Sequence, residues 1–330
     1  MKTLVTGGAG AIGLHMSKFL LDKGEEVVIL DSLFRTNSKI DSELDSFLKN
    51  PKVEFIHADL CNSNLKQKLG EDKFDRVYHL ASINGTELFY KIPYKILKDN
   101  LIGTINLLDW FSESNNKGKI LLTASCEAYA GTVSSFGYKV PTDEKVPLCI
   151  EDVKNTRWSY GLSKLVQEAL LIYNSKQGDG FNWSIARVHN AYGERMGWKH
   201  VIPQFMQRII QKQNPFEIHG SDDTRSFCYV EDTVRALYSV MESDKCNGEI
   251  INVGDDKNEI VIKDLALKIF DIANYHPKIK EFPSPEGSVK RRCPSLDKLR
   301  ALTGFEDKVS LDEGLQKTYD WYKSHYSESE

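Results

Sequence analysis

The chain has 330 residues, and at roughly 150 residues per domain this length predicts about two domains. Hydrophobic residues make up 41% and charged residues 27%, a globular composition that excludes intrinsic disorder and low-complexity architecture. The net charge of −4 gives no basic surface for nucleic acid or an anionic membrane, so we expect neither as a partner.

Membrane spans and metal sites are not expected either. No apolar run approaches the ~20 residues of a membrane span, and glycines interrupt the N-terminal apolar stretch where a signal peptide is continuous. None of the 6 cysteines has the close spacing of a zinc site or redox motif. We therefore expect free thiols, no metal and a cytoplasmic location.

The chain opens with the pattern of a dinucleotide-binding unit. Residues 2–6 (KTLVT) predict a buried strand, residues 14–23 a helix, and residues 26–30 (EVVIL) a second strand. The turn between the first strand and the helix is rich in glycine, and its backbone and the helix N-terminus suit a pyrophosphate. The predicted cofactor contacts in this turn are Gly7, Gly10, Ala11, Ile12 and Gly13.

An acidic residue after the second strand predicts the type of cofactor. Asp31 follows the glycine-rich turn at the distance where a carboxylate accepts hydrogen bonds from an adenosine ribose. The same carboxylate would repel the 2′-phosphate of NADP, so we predict NAD. Arg35 is a nearby group that could instead meet a phosphate.

Strands and helices continue to alternate along the first half. Residues 53–58, 76–81 and 119–123 predict strands and residues 100–111 a helix, whereas the second half shows no such alternation. This pattern predicts an α/β fold with a Rossmann-type, doubly wound parallel sheet. Ligands of such sheets bind beyond the carboxyl ends of the strands.

Tyr160 and Lys164 are candidates for a proton-transfer pair. Their i, i+4 spacing places both side chains on one face of a helix, and Ser125 follows the predicted strand at residues 119–123. An ammonium group beside a phenol favours the phenolate, so we expect a lowered pKa for Tyr160. Tyr160 would then take a hydroxyl proton as general base, with Ser125 holding the same oxygen.

Taken together, these motifs resemble the extended short-chain dehydrogenase/reductase superfamily, namely its NAD-dependent nucleotide-sugar epimerases and dehydratases. The resemblance runs in family order from residue 3 to about residue 315. Its motifs are residues 6–13 (TGGAGAIG), 59–60 (DL), 79–82 (HLAS), 125–129 (SCEAY), Tyr160 with Lys164, 187–193 (RVHNAYG) and 225–232 (RSFCYVED). It implies that NAD takes a hydride from C4 of a nucleotide-diphosphate sugar and often returns it.

The resemblance also implies a division of the chain and further site residues. Residues 1–186 plus about 226–253 would form the NAD-binding domain, and about 187–225 plus 254–330 a smaller, mixed nucleotide-sugar domain. Further cofactor contacts would be Asp59, Leu60, Leu80, Ala81, Ser82, Asn100, Tyr160 and Lys164. Substrate contacts would be Ser125, Asn190, Arg225 and Arg292, of which the arginines suit a diphosphate or carboxylate.

Two helices predict a homodimer. Residues 100–111 and 162–173 carry apolar side chains around much of their circumference. A helix that is apolar on more than one face needs a second partner. In the family resembled here, these two helices build a four-helix bundle between subunits.

The triplet Ser125, Cys126 and Glu127 bears on the reaction that follows C4 oxidation. In the family resembled, simple 4-epimerases usually lack an acid at position 127, whereas sugar dehydratases and UDP-glucuronate decarboxylases usually have one. Glu127 would act as a catalytic residue after C4 oxidation, at C5 or C6. The thymidine-sugar dehydratases place an Asp before this Glu, and Cys126 in that position argues against acid-assisted loss of water.

Other segments resemble the UDP-glucuronate decarboxylase group. They are residues 89–93, 100–104, 224–230 and 290–294. Arg292 matches the arginine that handles the C6 carboxylate in that group, whereas residues 84–87 and 196–200 do not follow it. Both of these departures fall where the sugar pocket is expected.

UDP-glucuronate decarboxylase-like activity is therefore the first expectation. A nucleotide-sugar 4-epimerase, a 4,6-dehydratase and a C4 dehydrogenase that releases NADH stay open as alternatives. A non-catalytic dinucleotide sensor is disfavoured, because Ser125, Tyr160 and Lys164 are all present.

Overall fold

A seven-stranded parallel sheet forms the centre of the structure, a computed structural model that describes residues 1–62, 65–70, 73–114, 116–178, 180–284 and 288–326. The strands are β1 Lys2–Thr6, β2 Glu26–Asp31, β3 Val53–His57, β4 Arg76–His79, β5 Lys119–Ser125, β6 Asn182–Val188, β7 Ala191–Tyr192, β8 Phe216–His219, β9 Thr224–Ser226, β10 Cys228–Tyr229, β11 Glu249–Val253, β12 Glu259–Val261, β13 Ile279–Phe282 and β14 Arg291–Arg292. The helices are α1 Ala11–Asp22, α2 Ser42–Leu48, α3 Leu65–Leu69, α4 Thr86–Lys91, α5 Pro93–Glu113, α6 Ala130–Phe136, α7 Ser159–Asn174, α8 Val201–Ile210, α9 Val230–Glu242, α10 Ile262–Ala273, α11 Asp297–Thr303 and α12 Leu311–Ser324.

The order of the strands determines where a ligand crevice is expected. The central sheet runs β3-β2-β1-β4-β5-β6-β11, and all neighbouring pairs are parallel. The chain winds outward from β1 to β3 on one side and from β4 to β11 on the other. In doubly wound sheets, ligands bind where this direction reverses, which here is between β1 and β4.

Helices bury apolar side chains on both faces of the sheet. One face packs against α1, α9 and α11, and the other against α3, α5 and α7. On α5, Leu107, Leu108 and Phe111 follow helical spacing and are at most 3% exposed. Truncation of a buried phenylalanine such as Phe111 typically costs about 3–5 kcal/mol, so this layer contributes strongly to holding α5 on the sheet.

The structure confirms the early predicted elements and corrects the later ones. The strand predicted at residues 2–6 is β1, and the helix at residues 100–111 is part of the longer α5, which begins at Pro93 with proline in its first turn. The expected lack of alternation in the second half is wrong. Strands β6 and β11 belong to the central sheet. The segment from β7 to β10 lies between them in the chain and interrupts the alternation of strand and helix in the sequence.

The C-terminal part has its own core. Helices α8, α10 and α12 pack around buried aromatic and aliphatic side chains that include Phe216 and Phe270. Strand β14 pairs with β9 in parallel, so that Arg292 lies directly beside Arg225. Within the described ranges, no helix is long and apolar enough to cross a membrane.

Candidate active site

A cavity of about 530 Å³ lies at the carboxyl ends of the central strands, within the usual size range of ligand pockets. Every residue predicted for the site lines this one cavity: Gly7, Gly10, Ala11, Ile12, Gly13, Asp31, Asp59, Leu60, Leu80, Ala81, Ser82, Asn100, Ser125, Glu127, Tyr160, Lys164, Asn190, Arg225 and Arg292. The cavity therefore joins the predicted cofactor contacts to the predicted substrate contacts.

The glycine-rich turn leaves no room for side chains. Gly7 has φ +71°, and a Cβ there would lie 2.7 Å from the Cα of Ala81. A Cβ on Gly13 would lie 2.1 Å from the carbonyl oxygen of Gly7. Gly10, the N-cap of α1, has no side chain that could accept a hydrogen bond from the first turn of the helix. The free N–H groups of that turn lie beside the cavity and can bind an anion there.

The Asp31 carboxylate ties this turn to the end of β2. It accepts the N–H of Leu33 at 2.7 Å and the N–H of Ala9 at 3.0 Å. Burial raises the pKa of Asp31 above its ordinary value, and the two N–H groups oppose that rise. The hydroxyl of Ser82 is buried and makes no hydrogen bond within the described chain. These features fit a dinucleotide that lies across the turn.

Asn100 and Asp59 are engaged by the chain itself. The Asn100 side chain accepts the N–H of Ile83 at 2.8 Å and donates to the hydroxyl of Ser163 at 3.0 Å. Asp59 accepts the N–H of Cys61 at 2.9 Å. Both residues line the cavity, so we propose that they act on the cofactor mainly by fixing the loops after β3 and β4.

Tyr160, Ser125 and Lys164 meet at the end of β5. Tyr160 and Lys164 lie on α7 and are 7% and 2% exposed. The Lys164 Nζ lies 5.7 Å from the centroid of the Tyr160 ring and donates to the carbonyl of Thr123 at 2.8 Å. The Ser125 hydroxyl hydrogen-bonds Tyr160 and lowers its pKa.

The sequence predicts a lowered pKa for Tyr160, and this prediction is wrong when only the chain's own groups act on the phenol. Burial is the largest effect and raises the pKa of Tyr160 well above its ordinary value, despite the hydrogen bond from Ser125. Burial also lowers the pKa of Lys164 to about 7. Both buried groups therefore favour their neutral forms, because a low-dielectric interior disfavours charge.

The stacking of Phe89 on Tyr160 was not predicted from the sequence. The two rings lie 5.4 Å apart with an interplanar angle of 9°, and Phe89 comes from α4. This contact covers one face of the phenol and contributes to its burial. The sequence offered only the resemblance at residues 89–93, which gave no role to the ring.

Two guanidinium groups hold the carboxylate of Glu127. Arg157 donates from Nη1 to Oε2 at 3.0 Å and from Nη2 to Oε1 at 3.4 Å. Arg292 donates from Nη1 to Oε1. The three side chains are 11–14% exposed, with Arg157 the lowest at 11%.

This pairing sets the charge of Glu127. Burial favours the neutral acid, but Arg292 and Arg157 outweigh it and lower the pKa of Glu127 to about 2. A carboxylate with so low a pKa is a weak base. Arg157 was missed from the sequence because its partner lies 30 residues away, and the only local signal was Asn155, which marks the start of its turn.

Arg225 and Asn190 complete the far end of the cavity. Arg225 donates to the carbonyls of Thr224 at 2.7 Å and Lys290 at 3.1 Å and lies 3.4 Å from a carboxylate oxygen of Asp223. Burial and the neighbouring charge of Arg292 lower the pKa of Arg225 to about 10. The Asn190 amide donates to the carbonyl of Ser226 at 2.9 Å. A region this positive attracts anionic ligands.

Comparison with known proteins identifies the group to which this arrangement is similar. Residues 3–254 match the family described as NAD dependent epimerase/dehydratase. The UDP-N-acetyl-alpha-D-glucosaminuronate decarboxylase of Bacillus cytotoxicus is 29% identical over 98% of this chain and 98% of its own length. UDP-glucuronic acid decarboxylase 6 of Arabidopsis thaliana is 31% identical over 96% of this chain and 87% of its own length.

Solved structures confirm the predicted fold class. The UDP-glucuronic acid 4-epimerase from Bacillus cereus, in complex with UDP-glucuronic acid and NAD, has a TM-score of 0.87 and 25% identity, covering 99% of this chain and 100% of that one. The UDP-glucose 4-epimerase from Thermotoga maritima, with UDP-glucose, has a TM-score of 0.85 and 26% identity over 99% and 100%.

We expect NADH to bind at least about tenfold more tightly than NADPH, a difference of about 1.4 kcal/mol. The carboxylate of Asp31 would repel the 2′-phosphate. Fluorescence titration with both cofactors measures the ratio, which should fall in Asp31→Asn because the amide keeps the size but loses the charge. Equal binding of the two cofactors by the unsubstituted protein would contradict the prediction, and Arg35→Gln would then test whether Arg35 meets the phosphate.

Proposed function

The chain belongs to the NAD dependent epimerase/dehydratase family, and we propose that within it the protein decarboxylates a nucleotide-linked uronic acid through a 4-keto sugar. The family and the curated relatives make the protein an NAD-dependent enzyme that modifies nucleotide sugars. The observation that carries the finer proposal is the pair of arginines on Glu127.

The charges around Glu127 favour an acidic sugar. Arg157 and Arg292 carry two positive charges against the one negative charge of Glu127, while Arg225 has Asp223 as a partial counter-charge. One positive charge therefore remains at the end of the cavity beyond Tyr160. A neutral hexose would leave it unpaired in a poorly solvated place, whereas a carboxylate would pair with it through a guanidinium fork.

The relatives support the same choice of substrate. The two curated relatives described above are named as decarboxylases of UDP-linked uronic acids, and the epimerase structure from Bacillus cereus contains UDP-glucuronic acid. We therefore expect a UDP-sugar that carries a C6 carboxylate. We propose that residues 1–186 plus about 226–253 hold the cofactor and that about 187–225 plus 254–330 hold this nucleotide sugar.

The first half of the reaction uses Tyr160, Ser125 and Lys164. Held by the glycine-rich turn and Lys164, NAD would supply the acceptor for the C4 hydride and a positive charge that favours an ionised phenol nearby. Tyr160 takes the proton of the C4 hydroxyl, and Ser125 holds the same oxygen by a hydrogen bond. Lys164 would hold the nicotinamide ribose and add positive charge near the Tyr160 ring. Its pKa of about 7 leaves part of that charge near neutral pH.

The second half is the loss of the carboxyl group. Oxidation at C4 makes the C6 carboxylate a β-keto acid. The C5–C6 bond then breaks and carbon dioxide leaves. The electron pair of that bond passes through C5 to the C4 oxygen beside Tyr160 and Ser125. A proton from solvent at C5, the hydride returned to C4 and the proton returned from Tyr160 to the C4 oxygen would then complete a UDP-pentose. Glu127 competes with the substrate carboxylate for Arg292. Arg292 therefore binds the carboxylate of the unreacted substrate less tightly than it would if Glu127 were absent.

Incubation with UDP-glucuronate and NAD tests the function. We expect carbon dioxide and a UDP-pentose in equal amounts, with NAD regenerated, and no conversion of UDP-glucose. Mass spectrometry of the nucleotide sugars and trapping of labelled carbon dioxide from C6 give both products. Conversion to an isomer of equal mass would identify a 4-epimerase of the same acid, and stoichiometric NADH would identify a C4 dehydrogenase.

Tyr160 and Glu127 should act at different stages. Tyr160→Phe removes the base for the C4 hydroxyl, and general-base losses cost about 10²–10⁴-fold in rate, so no NADH absorbance should appear in a single turnover. Glu127→Gln keeps that base, so absorbance should rise and then persist, because Arg292 now holds the carboxylate without a competitor. Normal turnover of Glu127→Gln would contradict the second-stage role of Glu127.

We propose a homodimer formed through α5 and α7. Tyr94, Leu101 and Ile105 share a stripe of α5 at helical spacing, with Tyr94 77% and Ile105 39% exposed, and Tyr173 on α7 is 66% exposed. Light scattering at micromolar concentration should give twice the chain mass. Ile105→Glu should halve that mass, while Phe136→Glu, on the exposed end of α6, should not. A monomeric unsubstituted protein would contradict the proposal.

A further inference from the structure

Arg157 is held in place by contacts that involve no ligand. It lies in a 3₁₀ turn, Thr156–Trp158, directly before α7. The side chain of Asn155 accepts its backbone N–H at 3.0 Å, and its guanidinium lies 4.6 Å from the centroid of the buried Trp158 ring. A guanidinium stacked on an aromatic ring and forked onto a carboxylate has little freedom to turn away.

The two arginines contact Glu127 in different ways. Arg157 uses both terminal nitrogens, one on each carboxylate oxygen, at 3.0 and 3.4 Å. The contact that the described structure gives between Arg292 and Glu127 comes from Nη1. The Nε of Arg292 is buried and makes no hydrogen bond within the described chain. Arg157 uses both of its terminal nitrogens on Glu127, whereas Arg292 has N–H groups that do not contact Glu127.

This asymmetry matters when a second carboxylate enters the cavity. A ligand carboxylate that binds Arg292 takes away part of the charge that stabilises Glu127. Two carboxylates close together raise each other's pKa, so Glu127 would move away or take up a proton unless another cation stayed with it. Arg157 is the cation that can remain paired with Glu127, because it contacts both carboxylate oxygens.

We propose that Arg157 is a positioning residue that keeps Glu127 ionised and in place while Arg292 is recruited by the acidic group of the substrate. The inference rests on the proposed function, since the acidic group is the carboxylate of the uronic acid. Arg157 acts through Glu127 and not on the ligand. Without Arg157, Glu127 would depend on Arg292 alone for its counter-charge and would compete more strongly with the ligand for it. Removal of Arg157 should therefore weaken the binding of an acidic sugar and leave the binding of the matching neutral sugar nearly unchanged.

UDP-glucuronate and UDP-glucose provide a matched pair of ligands, because they differ only at C6. Calorimetry on the NADH-loaded protein, which cannot oxidise the sugar, measures their binding without turnover. The variants are Arg157→Gln, Arg157→Lys, Glu127→Gln and the double variant. Arg291→Gln serves as the control, because Arg291 neighbours Arg292 in β14 but is 52% exposed and pairs with Glu259.

Arg157→Gln should weaken UDP-glucuronate binding about tenfold, the loss expected when one charge-assisted contact no longer supports the site, with UDP-glucose changing less than about twofold. The affinity for UDP-glucuronate in Arg157→Gln should also depend on pH between about 4 and 6, where an unsupported carboxyl titrates. Arg157→Lys should recover part of the affinity through its charge. In the Glu127→Gln background, loss of Arg157 should have little further effect, and Arg291→Gln should change neither ligand.

Two results would overturn the inference alone. Equal weakening of both ligands by Arg157→Gln would indicate a general structural role. An undiminished effect of Arg157 in the Glu127→Gln background would indicate direct contact with the ligand. An unsubstituted protein with no preference for UDP-glucuronate over UDP-glucose would instead overturn the proposed function, and the inference with it.

Discussion

The carboxylate of Glu127 lies between Arg157 and Arg292 and allows positive groups to sit close together in a poorly solvated part of the cavity. The register of β9 and β14 places Arg292 directly beside Arg225, an arrangement that costs free energy through like-charge repulsion. That cost appears in the lowered pKa of Arg225, to which Arg292 contributes. Without Glu127, Arg157 and Arg292 would lose the counter-charge that they share, and Arg225 would keep only Asp223.

The same carboxylate links the two halves of the chain. It lies just after β5, in the part that carries the glycine-rich turn, and it pairs with Arg292, which lies 165 residues further along. The fold therefore uses a charge pair to bring the C-terminal arginines to the carboxyl edge of the parallel sheet. The pair acts together with the backbone hydrogen bonds of Thr142 to Cys293 and Ser295, which also join the Arg292 segment to the first half of the chain.

Burial has the opposite consequence for the proton-transfer groups. Tyr160 is covered by Phe89, and Lys164 is 2% exposed, so both favour their neutral forms when only the chain's own groups act on them. A positively charged nicotinamide ring is the additional charge that would favour the phenolate. In the proposed reaction, the base strength of Tyr160 would therefore depend on the bound cofactor.

The parts of the candidate site that depend on local pattern could be predicted from the sequence, and the predicted residues line one cavity. The unit β1, α1 and β2 has strong periodicity and short connections, and the i, i+4 spacing on α7 fixes Tyr160 against Lys164. The contacts of Arg157 and Phe89 could not be derived this way, because their partners come from distant segments. The direction of the Tyr160 pKa shift was missed for the same reason, since spacing gives the neighbour but not the burial.

The two segments that depart from the decarboxylase group turn out to be neighbours in space. Glu87, at the start of α4, forms an ion pair with Lys199, and Gly85 approaches the same lysine, with a Cβ there 3.9 Å from that of Lys199. Asn84 and Met196 from these segments line the cavity. The two departures are thus one structural feature at the mouth of the site. Ser125 and Tyr160, the groups proposed to act on C4, lie outside this feature, so the difference from the decarboxylase group bears on which sugar fits and not on the proposed oxidation at C4.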